Sequence, residues 1–163
     1  MREKCQKIIV YNKNLERIGS HIIHDGWIWE VLFLEDKIYS VSDDGTLRKT
    51  DYSGRSEILL KNDVGLFCLT YYDDYIYCGT QSGNLIQFSL SKGLVERFEY
   101  HHDIIRKIVI KNGNVITAGE DNRICINGDE VVRHENFVQD VILLKDEIIS
   151  AGFDGKLIKA NRF

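Results

Sequence analysis

The sequence predicts an all-β chain built from four repeated units, each of four antiparallel strands. Three observations carry this. A nine-residue pattern first met as "YSVSDDGTL" (39–47) returns as "YCGTQSGNL" (77–85), "ITAGEDNRI" (116–124) and "ISAGFDGKL" (149–157). Apolar residues fall in fixed columns around it, with the two-residue alternation of half-buried strands. No capped segment with helical periodicity interrupts the series. With Asp44, Ser82, Asp121 and Asp154 as anchors, the copies lie 38, 39 and 33 residues apart. Self-similarity at such a period means stacked supersecondary units.

The strands follow in order. Thirteen residues before each anchor stand Val31, Leu69, Ile108 and Val141, and eleven before it Phe33, Tyr71, Ile110 and Leu143. Residues two apart share one face, so these columns mark a first strand. Ile38, Ile76, Val115 and Ile148 mark the second, followed by the small column Ser40, Cys78, Thr117 and Ser150. After the anchor turn, Leu47, Leu85, Ile124 and Leu157 mark the third. A fourth, such as "RSEILL" after the turn "DYSG", completes the unit. In the third unit Asn127-Gly128 predicts a type I′ hairpin and accounts for most of the short spacing. Proline is absent, so turns must use Gly, Asn and Asp. About 40 residues for four strands is the size of a propeller blade. The units run approximately 15–51, 52–89, 90–128 and 129–163 in a single domain over 1–163, with an extra strand in 1–14.

The ends raise a question of strand pairing. "LERIGSHII" (15–23) is suited to be the outer strand of the last unit, which reaches only its third strand in "KLIKANRF" (156–163). "KCQKIIVYN" (4–11) reads as a further strand joined to 15–23 by "NKN", competing for the place of 156–163. Displacement of either segment, or a five-stranded unit, satisfies the pattern.

Composition narrows the function. The chain is 44% hydrophobic with a net charge of −4. An acidic chain is a poor polyanion binder, and the locally basic "HHDIIRK" (101–107) reads as solvated surface. No apolar run approaches the ~20 residues of a membrane helix, and "MREKCQKIIVYN" has no signal-peptide pattern. Cys5, Cys68, Cys78 and Cys125 form no CxxC pair. They read as reduced thiols of a cytosolic protein, with no zinc site. "DDG" lacks the alternating oxygen ligands of a calcium loop. No metal or cofactor is expected.

"HDGWIWEVLF" (24–33) followed by "IYSVSDDGTLRKTD" (38–51) closely resembles the WD-repeat β-propeller family, over residues 20–163 in four copies. The chain reads as a divergent member. Thr50, Phe88, Asn127 and Ala160 occupy the family's closing tryptophan position, and the second unit has Asn62 and Ser82 where the family has His and Asp. The resemblance implies structural His/Ser-or-Thr/Asp sets: His24, Ser40 and Asp44; His101, Thr117 and Asp121; His134, Ser150 and Asp154. It also implies a non-catalytic protein–protein interaction scaffold whose top surface meets the partner. By position that surface comprises Trp27, Trp29, Asp43, Phe67, Gln81, Arg106, Glu120, Phe137, Gln139 and Phe153. Packing between blades is the competing account of Trp29 and Phe67, as large aromatics are commonly buried.

Asp43-Asp44 with His24 or His101 as base would make an acid–base pair. However, the His–Asp set recurs with the period of the fold, and no nucleophile or phosphate motif accompanies it. A propeller enzyme with a central-channel site is the second alternative. The first is a small-ligand or glycan-binding propeller, which calls for equivalent residues in every unit; Trp27, Gly65, Ile104 and Phe137 differ. Four units are few for a ring of this family. A homodimer closing an eight-bladed ring is the expected assembly, ahead of a self-closed four-bladed monomer and of part of a longer protein.

Overall fold

The computed structural model describes residues 6–93, 95–145 and 147–161. Among them every regular element is a β-strand. The chain divides into two compact units, residues 1–66 and 67–163.

The first unit opens with a hairpin of β1 (Lys7–Tyr11) and β2 (Arg17–Ile22). Its four-stranded sheet follows: β3 (Ile28–Leu34), β4 (Lys37–Ser42), β5 (Thr46–Thr50) and β6 (Ser56–Lys61), each hydrogen-bonded to the next. The hairpin lies against this sheet's outer turn. A Cβ on Gly54, which has φ +85°, would fall 2.2 Å from the imidazole of His21. The Ile23 amide donates to the Gln6 carbonyl, extending the β1–β2 pairing past the strand ends.

The second unit holds three sheets in chain order. They are β7 (Leu66–Tyr72), β8 (Tyr75–Thr80), β9 (Asn84–Ser89) and β10 (Val95–Glu99); β11 (Ile105–Lys111), β12 (Asn114–Gly119), β13 (Arg123–Ile126) and β14 (Asp129–Arg133); and β15 (Val138–Leu144), β16 (Glu147–Gly152) and β17 (Leu157–Asn161). Both end segments are thus paired, β1 with β2 and β17 with β16. Residues 4, 5, 162 and 163 of the competing segments, and Cys5, lie outside the described residues.

Turn chemistry closes the hairpins. Both central residues are left-handed in Glu35-Asp36 (φ 48° and 59°), Asn112-Gly113 (50° and 79°) and Asn127-Gly128 (52° and 93°). Two-residue loops of this kind match the twist of paired strands, and Asn and Gly tolerate positive φ best.

Cores form between neighbouring sheets. In the second unit Cys68, Tyr77 and Leu85 meet Ile105, Ile108 and Val115. The next layer repeats the arrangement, with Ile116, Ala118 and Ile124 against Val138, Val141 and Ile148. At ~25 cal/mol per Å² of apolar surface, layers of such side chains supply most of the folding free energy. Cys68, Cys78 and Cys125 are buried. Tyr71, which shares a column with the expected core, is instead 37% exposed.

Candidate functional site

Two sets of residues recur at one end of three sheets, those that begin with β3, β11 and β15. The first is the His/Ser-or-Thr/Asp set. His24 donates from Nδ1 to Asp44 at 2.9 Å, and its Nε2 meets the Ser40 hydroxyl at 2.8 Å. His101 pairs with Asp121 at 2.7 Å and with Thr117 at 2.8 Å. His134 pairs with Asp154 at 2.9 Å and with Ser150 at 2.8 Å. The three imidazoles are fully buried. Burial lowers the pKa of His24 against the opposing pull of Asp44. A neutral ring with its proton on Nδ1 leaves Nε2 to accept from Ser40.

Each aspartate also caps its surroundings. Asp44 accepts from the amides of Asp25 and Thr46, Asp121 from those of His102 and Arg123, and Asp154 from those of Glu135 and Lys156. Burial works against ionisation of Asp44. The Thr46 hydroxyl, the two amides and His24 outweigh it, holding its pKa at about 2. Asp121 is likewise depressed, against its burial, by His101 and the His102 amide. These groups are saturated with intramolecular partners, so their arrangement ties a loop to a turn. In the second unit of the repeat, Asn62 donates from its amide side chain to the Val64 carbonyl, and Ser82 lies 3.2 Å from the Thr80 hydroxyl.

The second set comprises the expected surface residues. The strand register shifts between Ile28 and Glu30, between Ile105 and Lys107, and between Val138 and Asp140. Trp29, Arg106 and Gln139 are therefore the extra residues of a bulge repeated at one place in the first strand. A bulge bends its strand and re-aims the side chain it carries. The residue before each anchor is brought to the same place. The amides of Asp43, Glu120 and Phe153 donate to the carbonyls of Trp27, Ile104 and Phe137.

One backbone frame thus presents different chemistry in each sheet. In the first, Trp27 stacks on Trp29 at 6.1 Å between centroids, and the Trp29 indole N–H donates to Asp43. Trp27 and Trp29 are 44% and 40% exposed, so neither is a core residue. In β11–β14 the Arg106 guanidinium grips Glu120, with Nε at 2.6 Å, and lies 5.3 Å from the Phe67 ring centroid. Phe67 is half-buried and Gln81 exposed. In β15–β17, Phe137 and Phe153 meet edge to face at 6.3 Å, both exposed, beside an exposed Gln139. Sequence reasoning placed these residues by column but missed the bulge. Its trace is that columns seventeen and fifteen before the anchor precede the apolar columns thirteen and eleven before it without sharing their apolar constancy.

At the opposite end of the first sheet is a cleft lined by Lys37, Lys49, Asp51, Arg55, Ser56 and Glu57. Its charges are of both signs, and Arg55 sits 3.2 Å from Asp51, so it selects no ion of one sign. No group of three or more metal-ligating side chains is found among the described residues.

Comparison with known proteins places this geometry. No family model matches the sequence. F-box/WD repeat-containing protein 9 of Bos taurus is 22% identical over 107 residues, covering 63% of this chain and 23% of that protein. The chain therefore matches under a quarter of the length of that curated relative. Among solved structures, the computationally designed Ika4 protein superposes with a TM-score of 0.72 at 17% identity, covering 85% of this chain and 93% of that one. The WD40 β-propeller domain of Doa1 gives a TM-score of 0.80 at 18% identity, covering 94% of this chain and 56% of that one. The chain has the fold of WD40 β-propellers, and with four sheets and part of a fifth among the described residues it spans about half of such a propeller.

Proposed function

We propose that the chain is a non-catalytic protein–protein interaction scaffold that works as a homodimeric ring of eight blades in a cytosolic setting. One observation carries the scaffold reading: a repeated bulge-and-turn frame displays an aromatic pair with an acid, a cation–acid pair over a ring, and a pair of phenylalanines. Identical frames with unlike side chains suit one extended, irregular partner surface. Aromatic and arginine side chains are the usual anchors of such surfaces. A small-ligand or glycan-binding propeller with one pocket per blade would repeat the chemistry as well as the frame. Two copies supply eight blades because one spans about half of a propeller.

The test of the surface is affinity capture with the wild-type chain and with Trp27→Ala plus Arg106→Ala, after circular dichroism has established that both are folded. Loss of the partners recovered by wild type is expected. Identical recovery would sink this choice of surface.

A further inference from the structure

Each inter-sheet core of the second unit joins the same two sets of columns. The leading sheet offers second-strand residues five and three before its anchor and the third-strand column: Ile116, Ala118 and Ile124. The following sheet offers the first-strand column and a second-strand residue: Val141 and Ile148. The last sheet offers the leading set once more, in Ile149, Ala151 and Leu157, and there it is open. Leu157 is 78% exposed, where Leu47, Leu85 and Ile124 are at most 1%. Ile142 and Leu144 beside it are each 53% exposed, and a shallow groove runs over Ile142, Ile149, Ala151 and Leu157. The first sheet offers the following set, also open. Val31 is 55% exposed, where Leu69, Ile108 and Val141 are 6%, 3% and 1%. Phe33 is 57% exposed. The chain carries both halves of one further inter-sheet core, on different sheets, and a second copy supplies the match for each.

A hydrogen-bond series agrees. The residue after each anchor accepts from the residue in the His column of the next repeat: Gly45 from Asn62 at 2.8 Å, Gly83 from His101 at 3.0 Å, and Asn122 from His134 at 2.9 Å. Gly155, with φ +75°, is the fourth member, and nothing lies within 4 Å of where its Cβ would stand. The remaining member of the His column is His24.

The hairpin adds a condition. Ile8 lies 39 residues before Leu47, so β1 is a fifth copy of the third strand and β2 the outer strand beside it. Leu157 of β17 belongs to the same column. When the last sheet of one copy reaches the first sheet of another, β17 and the partner's β1 claim one place beside the partner's β2. β1 belongs to a two-stranded sheet, and leaving it breaks one ladder that β17 then remakes. Displacing β17 instead would withdraw Leu157 from the docking face. Building on the ring reading above, we propose that the open face of β15–β16–β17 docks on the first sheet of a second copy, and that β17 replaces the partner's β1 alongside β2. In the lone chain β1 is a placeholder that covers the inner edge of β2, as exposed edges invite wrong pairing.

Light scattering on the full chain over a concentration series tests the docking. Wild type is expected at twice 18.9 kDa and Leu157→Asp at 18.9 kDa. Val31→Lys combined with Leu157→Asp restores the dimer, because each interface then pairs a lysine with an aspartate. A cross-link tests the exchange. Ile9 is paired with Ser20 across the hairpin. In a Cys5→Ser background, Ile9→Cys with Ser20→Cys ties β1 to β2 when oxidised. This variant is expected at 18.9 kDa until reductant is added, and then at twice that mass. In the same background, Ser20→Cys with Ile158→Cys is expected to give a covalent dimer. An oxidised hairpin cross-link that leaves the dimer intact overturns the strand exchange. A dimer indifferent to Leu157→Asp overturns the docking face. Wild type at 18.9 kDa at every concentration overturns both and, with them, the eight-bladed ring, while the partner surface stays under its own capture test.

Discussion

Truncating Asp121 to alanine removes an anchor that accepts four hydrogen bonds. Its carboxylate accepts from His101 Nδ1 at 2.7 Å, the His102 amide at 3.0 Å, the Arg123 amide at 3.2 Å and Arg123 Nε at 2.7 Å. A hydrogen bond to a charged group contributes a net ~1.5–3 kcal/mol, and a buried donor left without a partner costs ~1–3 kcal/mol. These contributions overlap, because the His101 bond and the orphaned imidazole describe one loss from two sides. His101 is fully buried and cannot turn to water. The expected loss is about 2–4 kcal/mol, with 1 as the floor. The assay is urea unfolding. With slopes of ~1–3 kcal/mol per molar, the midpoint should fall by about 0.7–4 M, and by no less than about 0.3 M at the floor. Asp121→Asn keeps a carbonyl acceptor for His101 and gives up the charge, so it should lose less than Asp121→Ala. Asp129→Ala, at an exposed site, is the control. A midpoint for Asp121→Ala no lower than that of the control would refute the reasoning.

Two further outcomes follow from the same groups. The folded pKa of Asp44, about 2, lies below its ordinary 3.8. Its contribution is therefore complete above the ordinary value and is lost as pH falls through the folded one. His24, whose pKa Asp44 pulls up, would titrate in the same range, so the comparison is made in a His24→Gln background. There the stability gap between the Asp44 chain and Asp44→Ala should stay constant from about pH 7 to about pH 5, then narrow by about 1–2 kcal/mol toward about pH 2. Denaturant curves at stepped pH would show a gap that widens on acidification if the sign is wrong. Burial pushes the Cys125 thiol up to about 11, and Cys68 and Cys78 are also buried. In a Cys5→Ser chain a thiol reagent should label none of the three until denaturant is added, and prompt reaction of the native protein would contradict their burial.

Much of the fold could be read from columns. The column of Ile124 is apolar in every copy, and in the second unit Leu85 and Ile124 of that column pack against the following sheet, a constraint written once per period. Burial itself was not legible. Ile124 and Leu157 share a column, yet one is 0% exposed and the other 78%, because burial depends on which sheet lies alongside, not on the residue. Trp29 and Phe67 show the same limit in the candidate site. Both were open to an inter-blade role by size, but Trp29 is carried outward on a bulge and Phe67 lies under Arg106, thirty-nine positions away. An extra residue in one strand leaves no local signature beyond a slip in alternation, and a contact across sheets leaves none at all. The His–Asp sets were legible because both partners recur at a spacing of twenty residues. Only coordinates could show that each aspartate also receives two backbone amides.

Every sheet is made of strands consecutive in the chain, and the chain contains no proline. Both facts bear on time as well as shape. Strand partners meet through short loops, so each sheet is within reach of a rapid local search, and ordering can spread from any one of them to the next. Prolyl isomerisation, the common origin of refolding phases lasting tens of seconds, has no bond to act on here. A slow phase that lengthens on dilution would have to be the meeting of two chains, which makes refolding kinetics a direct clock for assembly.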